Sequence, residues 1–196
     1  MAEKQVTIGE ERHQLEQPFV VMATQNPIEQ EGTFSLPEAQ LDRFLLKTIV
    51  DYPSEEEELE IMKRMTSDGI EEIKTIIKKK QIADLQAIIS TIHVSDNIYT
   101  YVKDLIFATR EPERLENEEM ANYIQFGASP RASLALIQTS KVIACLHGRD
   151  YVIPEDIKEI APDVLRHRIL LSYEAIAEQV NTDEIIQELL STVAIP

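Results

Sequence analysis

The feature that most restricts the fold is a change of hydrophobic period at Pro53. Before it, apolar residues come in short β-type runs; after it, they recur at helical spacing almost to the C-terminus. Val6-Thr7-Ile8, then Gly9-Glu10-Glu11, then residues 12–15 predict a hairpin with Gly9 in its turn. Phe19-Val20-Val21-Met22-Ala23 is a continuous apolar run, the pattern of a strand covered on both faces in a parallel sheet. Residues 44–50 form a second strand candidate. Between the two lie a loop with Pro27, Gly32 and Pro37 and a short helical stretch over 37–42. So few strands make a poor sheet alone, and residues 1–52 read as an incomplete α/β layer.

From Pro53 the chain reads as all-α. Ser54 with Glu57 is a capping box, followed by a stripe of Leu59, Met62 and Met65. Ile82, Leu85, Ile88, Ile89 and Ile92 mark the next helix. Ser95 caps another, whose inner face is Ile98, Tyr101, Val102, Leu105 and Ile106. Residues 111–124 are acidic and irregular and predict a loop. Ser129 caps a helix with Pro130 at its first position and an inner face of Ala132, Ala135, Leu136, Val142, Ile143 and Leu146; Gly148 stops it. Pro154 opens a helix through Ile160, Pro162 restarts one through His167, and Thr182 caps the last, over 183–190. Residues 53–196 are thus expected to form a helical bundle.

The chain carries a net charge of −16. A nucleic-acid surface needs a basic face, and no Lys/Arg stripe occurs. The acidity serves solubility or a docking face for a basic partner. Cys145 is the only cysteine, so no intrachain disulfide can form. That fits a reducing cytoplasm, with Cys145 as a small core residue. His13, His93, His147 and His167 lack ligand spacing, which argues against a metal site. The polar residues at 1–4 predict no signal peptide, and no apolar stretch approaches the length of a membrane span.

Three segments could carry chemistry. Ala23-Thr24-Gln25-Asn26-Pro27 follows the apolar run, where polar residues at a strand's C-terminal edge face the ligand crevice of an α/β sheet. There Asn26 or Thr24 orients a water or meets a phosphate, or Asn-Pro merely starts a turn. In Leu41-Asp42-Arg43-Phe44, Arg43 offers a planar donor fork to a phosphate, or pairs locally with Asp42 or Glu38. In Gly127-Ala128-Ser129-Pro130-Arg131-Ala132, Arg131 sits in a helix's first turn, where it opposes the dipole unless an anion binds; otherwise it is a solvated arginine. The five glycines, Gly9, Gly32, Gly69, Gly127 and Gly148, spell no G-x-x-x-x-G-K-[ST], and no apolar strand ends in Asp-Glu.

Taken together and in this order, these segments resemble the MoxR family of AAA+ ATPases. The resemblance runs from Val6-Thr7-Ile8-Gly9 through Ala23-Thr24-Gln25-Asn26-Pro27 and Leu41-Asp42-Arg43-Phe44. It continues in Tyr52-Pro53-Ser54, Gly127-Ala128-Ser129-Pro130-Arg131-Ala132, Gly148-Arg149-Asp150-Tyr151-Val152 and Val164-Leu165-Arg166-His167-Arg168. It implies the C-terminal part of a P-loop AAA+ αβα core, residues 1–52, followed by a helical lid, residues 53–196. It implies that Asn26 is sensor 1, near the attacking water. Arg43 would be the arginine finger, reaching a neighbouring subunit's nucleotide, and Arg131 sensor 2, reaching the nucleotide of its own subunit. The cofactors implied are ATP and Mg²⁺, with the magnesium ligands outside this chain. The partners implied are copies of itself in a ring, a hexamer, and a protein bearing a von Willebrand A domain. Without Walker A and Walker B this chain alone is expected not to hydrolyse ATP. Two other readings stay open: a non-enzymatic acidic helical interaction module, and the ATPase subunit of a magnesium-chelatase-like complex.

Overall fold

The structure, a computed structural model, describes residues 5–25, 36–66, 74–115 and 117–195. The strands and α-helices, in chain order, are β1 (Gln5–Ile8), β2 (Glu11–Gln14), α1 (Glu38–Leu41), α2 (Glu55–Thr66), α3 (Lys79–Thr91), α4 (Asp96–Arg110), α5 (Glu118–Asn122), β3 (Ile124–Phe126), α6 (Pro130–Leu146), α7 (Pro154–Leu165), β4 (Leu170–Leu171), α8 (Tyr173–Ala177) and α9 (Thr182–Thr192). They fall into two compact units. One comprises Met1–Ser35 with Ile73–Ile88, the other Leu36–Glu72 with Ile89–Pro196.

In the first unit β1 and β2 pair antiparallel, with Val6 opposite His13 and Ile8 opposite Glu11. Gly9 turns the chain at φ +63°, a left-handed conformation that costs glycine little. The hairpin is therefore as expected. The strand predicted at residues 19–23 does not form: Val20 is 81% exposed and Met22 88%. An extended segment becomes a strand only when a neighbour takes its N–H and C=O groups, and residues 19–25 find none among the described residues. The start of α3 belongs to this unit, and Lys79 pairs with Glu16 at 3.2 Å.

The second unit holds the core. Leu105 of α4, Leu136 of α6, Ile157 and Leu165 of α7, and Ile186 and Leu189 of α9 are fully buried. The predicted inner face of α4 is buried at every position, and Ser95 caps it by accepting from the Ile98 N–H. The capping box of α2 closes as predicted, with Ser54 N–H donating to Glu57 at 2.8 Å and Glu57 N–H to Ser54 at 3.3 Å. Its stripe of Leu59, Met62 and Met65 is exposed, however. The lower half of α6 also turns differently. Thr139, Ser140 and Ala144 face inward while Val142 and Leu146 face out. The two hydroxyls satisfy themselves on the Ala135 and Ile137 carbonyls, at 2.7 and 3.1 Å, and so can be buried.

Four further expectations need correcting. Residues 44–50 bend at 44–45, run on without regular structure and pair with no strand among the described residues. The presumed loop at 111–124 contains a short 3₁₀ turn over Pro112–Arg114 and α5, capped by the Asn117 side chain. It ends in β3, which pairs with β4. Pro162 lies inside α7 rather than restarting a helix. Asn181, not Thr182, caps α9, accepting from the Asp183 N–H at 3.0 Å. Among the described residues no helix is long and apolar enough to cross a membrane.

Candidate functional site

Arg131 is positioned from beneath by the end of α4. The Ala128 N–H donates to Thr109 Oγ1 at 3.0 Å, and Arg110 Nε donates to the Ala128 carbonyl at 2.8 Å. Both polar groups of Ala128 are thereby held by two consecutive residues. The approach is so close that a Cβ on Gly127 would lie 2.3 Å from the Thr109 carbonyl oxygen. Ser129 then caps α6. Pro130 at the first helical position has no N–H, so the Ser129 oxygen accepts from the next residue, Arg131, at 3.2 Å.

The Arg131 side chain is 61% exposed, and its Nη1 donates to Asp42 Oδ2 at 2.9 Å. The Ser129 hydroxyl also donates to Asp42, lying 2.9 and 3.0 Å from its two oxygens. The anion at the start of α6 is thus supplied by the chain itself. It removes the unfavourable placing of Arg131 at the positive end of the helix dipole.

Asp42 has a second, buried partner. Arg168 Nε donates to Asp42 Oδ1 at 3.1 Å, and the Arg168 side chain is only 2% exposed. Its other nitrogens bond the backbone carbonyls of Asp42 (3.2 Å), Phe44 (2.5 Å), Leu45 (3.2 Å) and Val164. Burial alone would raise the Asp42 carboxyl. The bonds from Arg131 and Ser129 and the charge of Arg168 outweigh it and hold the group below the usual carboxylate range.

The two residues before Arg168 grip the same segment. His167 Nε2 lies 3.1 Å from the Phe44 carbonyl, and Arg166 Nη1 donates to the Lys47 carbonyl at 2.6 Å. The Lys47 N–H returns a bond to the Asp163 carbonyl at 2.9 Å. Arg166 is itself fixed by Asp163 and Asp183. Residues 42–47 therefore lie along the end of α7, clamped by three consecutive side chains. Arg43 is exposed on this clamped segment, with no ion pair to it among the described residues. The local pairing with Asp42 considered from the sequence does not occur, because two other arginines already take that carboxylate.

Of the three residues singled out from the sequence, the structure describes Arg43 and Arg131 on this unit; Asn26 lies outside the described residues. Sequence reasoning missed Asp42, Thr109, Arg110 and Arg168. The run Arg166-His167-Arg168 was a visible signal, but nothing in its spacing pointed to residues about 120 positions earlier.

Comparison with known proteins bears on what this arrangement belongs to. Residues 1–46 match the family "ATPase family associated with various cellular activities (AAA)", and residues 117–189 match the AAA lid domain. The chaperone MoxR1 of Mycobacterium tuberculosis is 46% identical over 198 residues, covering all of this chain and 52% of MoxR1. This chain belongs to the MoxR family of AAA+ ATPases. Another relative, the protein YeaC of Bacillus subtilis, is 41% identical over 197 residues, again the whole chain and 59% of YeaC. A crystal structure from Cytophaga hutchinsonii, described as a candidate ATPase, superimposes with a TM-score of 0.92 at 45% identity. It covers all of this chain and 59% of that one. The chain thus spans about half the length of the curated relatives it matches. Within the MoxR family its fold is the C-terminal part of an AAA+ core followed by a helical lid, as the sequence led one to expect.

Proposed function

We propose that this chain provides the sensing and finger groups of a MoxR-type ATPase whose ATP turnover drives chaperone-like remodelling of partner proteins. The observation that carries this reading is the unequal treatment of the cations. Arg168 is buried and Arg166 half-buried in a clamp, while Arg43 and Arg131 project to solvent from the segments the clamp and the α4 end hold still. Exposed guanidinium forks on fixed supports suit phosphate, which offers matching oxygen geometry.

In this reading Arg131 meets the phosphates of its own subunit's nucleotide, and Asn26 orients the attacking water. Arg43 reaches the nucleotide of the next subunit in a hexameric ring, in the cytoplasm. Phosphoryl transfer depends mostly on positioning and neutralising charge, so a finger supplied across an interface ties turnover to assembly. A magnesium ion would be held between the nucleotide's phosphates and acidic residues outside this chain. A protein carrying a von Willebrand A domain is the partner we expect.

The test uses the full-length protein. Arg43→Ala should lower kcat by about 10³–10⁵ while leaving ATP affinity nearly unchanged. Arg131→Ala should instead weaken ATP binding in calorimetry. Hydrolysis undiminished in the first variant, together with affinity undiminished in the second, would rule the assignment out.

A further inference from the structure

We propose that Asp42 is a built-in competitor for the phosphate: its carboxylate holds Arg131 while no nucleotide is present and releases it when a phosphate arrives. Asp42 thereby sets the affinity of the site as a positioning residue. The inference rests on the reading of Arg131 as a phosphate contact and goes beyond it.

Three observations support it. First, the Asp42 carboxylate already does what a bound phosphate oxygen would do. It sits at the start of the long helix α6, accepts Arg131 Nη1 at 2.9 Å and accepts the Ser129 hydroxyl. Second, its two arginines are held very differently. Arg168 is 2% exposed and bonds four backbone carbonyls besides the carboxylate. Arg131 is 61% exposed and has Asp42 as its one side-chain partner among the described residues. An exposed ion pair contributes little, so Arg131 can leave cheaply. Third, Asp42 keeps Arg168 and Ser129 after Arg131 departs, so no carboxylate is left buried and unpaired. Arg168 also keeps its grip on the Asp42 and Phe44 carbonyls, so the segment bearing Arg43 stays in place while Arg131 swings.

A double-mutant cycle in the full-length protein tests this by ATP calorimetry. Asp42→Asn keeps the size and the acceptor for Ser129 but removes the competing charge. It should tighten ATP binding about two- to fivefold, the worth of one exposed ion pair. In an Arg131→Gln background the same change should have no such effect. A merely structural role for Asp42 would weaken binding, or shift it alike in both backgrounds, and either result overturns the proposal. If the wild type binds ATP and Arg131→Gln weakens it, but Asp42→Asn leaves affinity unchanged, this inference falls and the functional reading stands. If the wild type binds no ATP, both fall. Should Asp42→Asn fail to fold, a structure of the wild-type nucleotide complex decides. Arg131 found on phosphate and away from Asp42 supports the exchange; Arg131 still bonded to Asp42 refutes it.

Discussion

His167 is buried, and its Nδ1 has no hydrogen-bond partner among the described residues. The Phe44 carbonyl facing Nε2 can only accept, so Nε2 carries a proton, and a second proton on the buried, unpartnered Nδ1 is disfavoured. Burial, then the adjacent Arg168 charge, push its pKa down to about 4, against about 6.5 in an unfolded chain. Between those values the unfolded chain binds a proton that the folded chain does not. Stability contributed by the neutral ring is thus complete above pH 6.5 and lost as pH falls toward 4. Urea unfolding of the wild type and His167→Gln between pH 7 and 4 should show a steeper loss in the wild type; parallel curves would refute the assignment. Gly127 carries a second prediction at this scale. A methyl there meets the backbone of Thr109 and Arg110 at 2.3–2.7 Å, atoms that cannot yield easily. Gly127→Ala should cost about 1–3 kcal/mol of stability, read from its Tm, and displace Arg131. Caps and turns such as Ser54, Ser95, Ser129 and Gly9 were legible along the chain because their partners lie within a few residues. Thr109 and Arg168 were not, because their partners lie 19 and 126 positions away.

At the scale of elements, the end of α7 does more than close a helix. Its three following side chains hold residues 42–47, a turn and bend followed by irregular chain, by their backbone carbonyls without a strand beside them. Arg168→Gln would leave Asp42 without its buried partner and several carbonyls unsatisfied. We expect a loss of about 3–5 kcal/mol, or failure to fold. Faster hydrogen exchange at the Lys47 N–H, now bonded to the Asp163 carbonyl, should accompany it; exchange as slow as in the wild type would show that the clamp is not what holds the segment. The misread elements have different causes. Thr139 and Ser140 looked polar but bond within their own helix, and Pro162 looked like a break but sits within α7. Residues 111–124 gained β3 only because β4 lies alongside it.

For the whole molecule, the second unit gathers Leu36–Glu72 with the helices from Ile89 onward. The segment at 42–47 that bears Arg43 and the helical bundle therefore share one unit. Fixing Arg43 to the body that carries Arg131 means that the two cations proposed to serve two different nucleotides stand on a common support. Asp42 joins them, bonded to Arg131 and adjacent in sequence to Arg43. The helical class, the hairpin, most caps and the family resemblance could all be read along the chain. Each rests on period, turn chemistry or ordered motifs, which depend on neighbours in sequence. The meeting of Asp42 with Ser129, Arg131 and Arg168 could not. A carboxylate has no sequence signal for which distant guanidinium it will accept, and burial alone decides that Arg168 is locked while Arg131 stays within reach of solvent.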